Sequence, residues 1–311
     1  MNMPLSPWML GATLYMPATR SDLAEVILHG KLPALRSLVI CLEDAVSEQD
    51  VNRALDNLSN LLLQLQEQTP THTPPLVFIR PRDEAMAAAL ITRYALTGID
   101  GFVLPKFNQS NVSSWWQVMA PTSLYLMPTL ETREVFESDA MHQLARLLEQ
   151  HPCRERILAL RIGGNDLMSV LGLRRSRHFT LYEGPLGYVV KMLVAAFASR
   201  GFALTAPVCE RIEDATLLER ELALDVAHGL VGKTAIHPAQ LEIIQRGLMV
   251  SPDDYDDALR IINSEQAVFK SQGAMCEPAT HRNWAATVLE QAAWCGIASA
   301  YNGYLCSASV S

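Results

Sequence analysis

At 311 residues the chain is about twice the usual domain length, a size that α/β barrels often reach as one domain. Hydrophobic residues make up 49% and charged residues 19% of it, which supplies a sizeable core and excludes a disordered chain. The net charge of −8, with no basic block anywhere, excludes nucleic acid held by an electrostatic footprint, and no apolar run is long enough to span a bilayer.

Taken in order, the chain alternates strand-like and helix-like runs. Leu10 to Met16 reads as a strand stopped by Pro17, followed by a helix from Asp22 to Leu28. Ser37 to Leu42 is a second strand leading into Glu43-Asp44. A helix then covers 49–68, with Leu55, Leu58, Leu62 and Leu65 as its apolar stripe. Strands follow at 75–79, ending at Arg80, at 102–104, ending at Pro105-Lys106, and at 123–127, running into Glu131. Helices at 84–96, 112–118 and 134–150 separate them. Five of the six residues of Ile157 to Ile162 are aliphatic, as in a strand buried on both faces. Gly163-Gly164 then turns the backbone and Asp166 precedes a helical stretch to Leu173. An acid there serves as a helix N-cap or as a functional carboxylate at a strand end. Strands at 202–205 and 229–236 complete a set of eight, with helices at 188–199, 212–227 and from His237-Pro238 to Arg246. Further helices are expected at 253–269 and 284–294.

Eight strand–helix repeats close most naturally into a TIM barrel. An open nucleotide-binding sheet is weaker, because neither GxGxxG nor a Walker A motif is present. The expected division is a barrel over 1–270 and a C-terminal lid over 271–311. The six cysteines form no CxxC pair, and Met1 to Trp8 lacks the pattern of a signal peptide, so a reduced cytoplasmic protein is expected. In a barrel the chemistry sits at the C-terminal face, where this reading gathers Glu43, Asp44, Arg80, Lys106, Glu131, Asp166 and Lys233. Clustered His or Cys ligands for zinc are missing, whereas two carboxylates plus water and substrate oxygens suit Mg²⁺.

Six stretches then carry a resemblance: Leu42-Glu-Asp-Ala-Val46, Ile79-Arg80, Val103-Leu-Pro-Lys106, Leu130-Glu-Thr132, Gly163-Gly-Asn-Asp-Leu167 and Ile236-His-Pro-Ala-Gln240. In this order they resemble motifs of the citrate lyase β-subunit-like family within the HpcH/HpaI aldolase superfamily. The resemblance spans about residues 10 to 250. It implies a Mg²⁺-dependent TIM-barrel carbon–carbon lyase, often a trimer, acting on hydroxyacyl-CoA thioesters such as citryl-, malyl- or citramalyl-CoA. It also implies Glu131 and Asp166 as metal ligands, Arg80 at substrate oxygens, and Glu43 and Asp44 as acids that orient metal-bound water; Lys106 is read either as a substrate contact or as a strand-end salt bridge. The family's lid carries a basic Asp within Gly-x-Met-x-Asp, supplied by a neighbouring subunit. Here Gly273-Ala-Met275-Cys-Glu277 offers Glu277.

Departures from the family pattern are Arg80-Pro81 for Arg-Asn, Gly11-Ala12 for Arg-Ser, Pro17-Ala18 for Pro-Gly and Ala206-Pro207 for an acidic residue. Arg161 is an unusual charge on its strand, read either as a substrate contact or as the partner of a buried acid. His237 is read as structural, and Trp115-Trp116 as packing. Rival readings are a 2-keto-acid aldolase acting on free acids and a non-catalytic metal-binding barrel.

Overall fold

Short aliphatic runs bounded by glycine, proline or charge set the strands, and the helices between them begin on polar caps. The computed structural model describes residues 4–271 and 273–299. Its elements are β1 (Gly11–Pro17), α1 (Leu23–Leu28), β2 (Ser37–Cys41), α2 (Val51–Glu67), β3 (Leu76–Arg80), α3 (Glu84–Arg93), β4 (Gly101–Leu104), α4 (Val112–Met119) and β5 (Tyr125–Leu130). They continue with α5 (Ser138–Gln150), β6 (Leu160–Ile162), α6 (Gly164–Val170), α7 (Pro185–Phe197), β7 (Leu204–Thr205), α8 (Ala215–Ala227), β8 (Gly232–Ala235) and α9 (Leu241–Gly247). Asp83 accepts the Met86 N–H at 2.8 Å to start α3, and Asp214 accepts that of Leu217 at 2.9 Å to start α8.

The eight strands run parallel in the order β7-β6-β5-β4-β3-β2-β1-β8. The two ends meet through Ala206, whose N–H donates to Gly232 O at 2.7 Å and whose carbonyl accepts from Thr234 N at 3.2 Å. That closure makes the sheet a barrel, as the eightfold alternation predicted. One side-chain parity faces inward, and Leu10, Val39, Phe78, Val103, Met127 and Ala159 fill the interior as a buried apolar cluster. The same parity carried upward delivers Arg80 at the end of β3 and Glu131 just beyond β5.

The apolar stripe of α2 differs from the one read in the sequence: Ala54, Leu58, Leu61 and Leu62 are buried, with Leu55 and Leu65 only half so. Trp115 is buried in packing, and Trp116 sets its ring edge-on to His151 at 5.6 Å. His237 caps the turn that follows it, accepting the Ala239 N–H at 3.2 Å, which is the structural role expected of it.

The barrel unit ends at Ile244 and a second unit starts at Gln245. The second holds α10 (Pro252–Asn263), an antiparallel hairpin of β9 (Phe269–Ser271) and β10 (Ala274–Cys276), and α11 (Pro278–Cys295). Val250, Ala258, Ile261, Cys276, Ala285, Val288 and Ala292 form its core. The helix expected over 253–269 stops at Asn263, and the hairpin takes the residues beyond. No described helix is long and apolar enough to cross a membrane.

Candidate active site

Four strand ends of the barrel contribute to one charged cluster. Arg80, only 8% exposed, sits at its centre. Its Nη2 lies 2.9 Å from Glu43 Oε2, 3.0 Å from Glu131 Oε1 and 3.4 Å from Asp44 Oδ2. Glu43 is braced from two further sides: Asp44 N–H donates to Oε2 at 2.9 Å and Lys106 Nζ to Oε1 at 2.8 Å. Lys106 also donates its backbone N–H to Glu131 Oε1 at 2.8 Å. To do both it adopts φ +49°, the one left-handed non-glycine backbone among the described residues. Such a conformation costs of order ~1 kcal/mol or more and persists where its surroundings over-determine it.

With Oε1 of Glu131 held by Arg80 and Lys106, its Oε2 makes no hydrogen bond to any described residue. It projects over Gly163, at the start of α6. A Cβ at Gly163 would overlap the Glu131 Cβ and Oε2. The glycine is therefore a cradle for this carboxylate. Asp166 stands in the first turn of α6, where the cap position belongs to Gly163 and makes no side-chain cap bond. Asp166 thus does not cap the helix. It also forms no ion pair or hydrogen bond among the described residues, and its charge acts on Glu131, Asp44 and Lys106.

The electrostatics follow from this packing. Burial pushes the Glu131 carboxyl up to about 7, with Arg80 opposing and Asp166 adding to the rise. Burial, then the neighbouring Glu43, push Asp44 up to about 6 against the pull of Arg80. Burial would also raise Glu43, but its bonds to Asp44, Arg80 and Lys106 bring it below its ordinary value. The charge of Asp166 thus reaches Glu131, while Asp166 itself has no cationic partner among the described residues. No group of three or more His, Cys, Asp or Glu among the described residues could hold a metal on its own. A pair completed by water or substrate oxygens suits a hard octahedral cation.

One residue is not where the sequence placed it, and another lacks the acidic partner weighed for it. Lys233 was expected at the mouth, but it sits mid-strand with outward parity, fully buried, 2.9 Å from Glu221 Oε1 and 2.8 Å from Asp225 Oδ2 of α8. Glu221 also pairs with Arg175, and Asp225 accepts the Tyr182 hydroxyl at 2.6 Å. Arg161 does point into the barrel, yet no acid meets it. Its Nη2 donates to Thr234 Oγ1 at 2.6 Å, Nη1 lies 3.4 Å from Thr13 Oγ1, and its guanidinium is 5.2 Å from the Tyr15 ring centre. Tyr15, Thr13 and Thr234 were not singled out in the sequence, though their inward parity with the strand ends was the available signal. Glu277 lies in the second unit at the start of α11, where its N–H donates to His281 Nδ1 at 3.1 Å.

Comparison with known proteins adds three findings. The (3S)-malyl-CoA thioesterase of Cereibacter sphaeroides (strain KD131 / KCTC 12085) is 26% identical over 263 residues, 84% of this chain and 85% of that protein. Among solved structures, CitE from Mycobacterium tuberculosis in complex with magnesium, acetoacetate and coenzyme A superposes with a TM-score of 0.64 at 21% identity. The match covers 91% of this chain and 98% of that one. A citrate lyase from Burkholderia xenovorans LB400 gives 0.67 at 16% identity, over 94% and 96%. Residues 4–297 match the family model described as C–C bond lyase of the TIM-barrel fold, and the chain therefore belongs to that carbon–carbon lyase family.

Proposed function

We propose that this lyase is Mg²⁺-dependent and cleaves, or in reverse condenses, a hydroxyacyl-CoA thioester of the citryl-, malyl- or citramalyl-CoA type. The products are an acyl-CoA and a 2-keto acid. The observation that carries the reading is the carboxylate pair of Glu131 and Asp166 beside the Arg80 cluster. It is supported by the magnesium and coenzyme A bound in the Mycobacterium tuberculosis CitE structure and by the malyl-CoA thioesterase relative.

The residues present fit the metal. Glu131 offers Oε2 over a glycine that leaves room for it, and Asp166 offers a carboxylate engaged by no described side chain. When bound, Mg²⁺ supplies Lewis acidity toward a keto-acid or hydroxy-acid oxygen. The chain's own groups do the rest. Arg80 holds the acids in register through Nη2, and its Nη1, which has no partner among the described residues, is the fork left for a substrate carboxylate. Lys106 keeps Glu43 ionised and aligned. Arg161 adds positive charge beneath the mouth, suited to the oxygen that gains charge as the carbon–carbon bond breaks. Glu277 takes the proton from the substrate hydroxyl, delivered from a neighbouring copy in a homotrimer. In this arrangement the segment that carries Glu277 acts as a lid for the neighbouring copy. The five described cysteines are free and buried, which supports a cytoplasmic setting.

Thioester hydrolysis is a second reading, favoured by the thioesterase relative. One assay separates the two. Incubation with malyl-, citramalyl- and citryl-CoA plus Mg²⁺ should release glyoxylate, pyruvate or oxaloacetate from one of them while the acyl-CoA product stays intact. Release of free coenzyme A with the intact hydroxy acid would establish hydrolysis instead. Glu277→Gln should lower kcat by ~100-fold or more, in the range of lost general acid–base catalysis, with Mg²⁺ affinity unchanged.

A further inference from the structure

A cavity of about 540 Å³ opens beside α6 and is lined by none of the residues given a role in the reaction above. Its wall is built from the outward face of α6 (Asn165, Met168, Ser169), from Leu173 and Arg174 just beyond it, and from Arg211 in the loop after β7. Arg211 is held in place by its neighbours. Nε donates to Ser176 O at 3.3 Å and Nη2 to Arg175 O at 3.1 Å, which leaves Nη1 without a partner among the described residues.

The charge here is not neutralised internally. Glu210 also lines the cavity, but it faces Arg175, whose Nε lies 3.8 Å from Glu210 Oε2 and which pairs as well with Glu221. No ion pair among the described residues joins Arg174 or Arg211 to a carboxylate, and both line the same cavity. The smaller cavity at β1, about 150 Å³, makes the contrast: its Arg20 and Lys31 both close on Asp22. In a chain of net charge −8, two arginines left unpaired on one concave wall form a local anion site. The guanidinium fork suits phosphate oxygens, and Met168 and Leu173 add an apolar wall that an inorganic ion alone would not use.

We propose that this cavity is a binding site for a phosphate-bearing organic molecule, its phosphate on Arg174 and Arg211 and its apolar part against Met168 and Leu173. The proposal goes beyond the reaction assigned above and does not depend on which thioester is cleaved. The shared chemistry has two sources, a free phosphorylated metabolite or the nucleotide end of a coenzyme A substrate, and the test distinguishes them.

The full chain is titrated calorimetrically in EDTA with pyrophosphate, adenosine 3′,5′-bisphosphate and coenzyme A, so that no divalent metal contributes. Wild type should bind at least one of them. Arg174→Glu should weaken that binding tenfold or more and Arg211→Lys by a smaller factor, while Arg20→Ala leaves it unchanged. Equal binding of pyrophosphate supports the site with a free phosphorylated anion as ligand. Binding of the bisphosphate and coenzyme A well above pyrophosphate supports it with the nucleotide end. Silence with all three probes at millimolar concentration overturns the proposal, as does affinity that is indifferent to Arg174→Glu or that falls with Arg20→Ala. Circular dichroism of Arg174→Glu, an exposed position, checks that the fold is retained.

Discussion

At Gly163 the site leaves no room for a side chain. A methyl group there would overlap Glu131, so Gly163→Ala must push the carboxylate aside or tilt the start of α6. Overpacking of this kind costs ~1–3 kcal/mol. Chemical denaturation should show that loss, together with a fall in Mg²⁺ affinity of ten times or more. Arg80 poses the opposite case. Arg80→Met would leave Glu43 and Glu131 buried around an apolar side chain, and breaking a buried ion pair from one side costs ~3–5 kcal/mol. Urea melts of that variant should move by this amount; an unchanged midpoint would mean the acids do not depend on Arg80. The strand-end positions of Glu43, Arg80, Lys106 and Glu131 were legible because each falls at the end of an apolar run, whereas Asp166 is separated from its run by Gly163-Gly164-Asn165. The partners of Arg161 were not legible. Thr13 and Thr234 lie on β1 and β8, distant in sequence, and only closure of the barrel brings these hydroxyls beneath β6.

Lys233 shows what the element scale adds. Reading the eighth strand as 229–236 moved its end and made Lys233 look like a mouth residue. The register Gly11↔Gly232 and Ala12↔Lys233 instead puts Lys233 on the outward parity, facing α8. There it neutralises Glu221 and Asp225, and Lys233→Met should destabilise the barrel by ~3–5 kcal/mol by stranding both acids. A pH signature follows from Glu221. Burial would raise its carboxyl, but Lys233 and then Arg175 bring it below the ordinary 4.5. The unfolded chain therefore binds a proton at higher pH than the folded one does. The stabilisation is complete above about 4.5 and is lost as pH falls through the lower folded value. Glu221→Gln should show a shallower loss of stability below pH 4.5 than wild type; an identical acid limb would contradict the assignment. The β9–β10 hairpin was not legible. Its three-residue strands carry no clear alternation, and the helical pattern before them runs on past Asn263 in sequence alone.

For the whole molecule, the eightfold strand–helix period was the strongest signal and the barrel follows from it, because a parallel sheet of alternating units needs helices on its outer face. The same packing encloses the thiols. Cys41, Cys153, Cys209, Cys276 and Cys295 are free and buried, and burial pushes the Cys153 thiol up to about 11. A thiol reagent at pH 8 should therefore modify no more than one cysteine of the six in the native protein, Cys306 lying outside the described residues, and all six after denaturation. Rapid native labelling of two or more would contradict the packing. Everything assigned to the reaction rests on the pairing of Glu131 with Asp166 around one hard cation. Calorimetric titration of Mg²⁺ into wild type, Glu131→Gln and Asp166→Asn tests this most directly. The account predicts one Mg²⁺ per chain in wild type and loss of binding in both variants with the fold intact; Mg²⁺ binding that survives either substitution unchanged would contradict it.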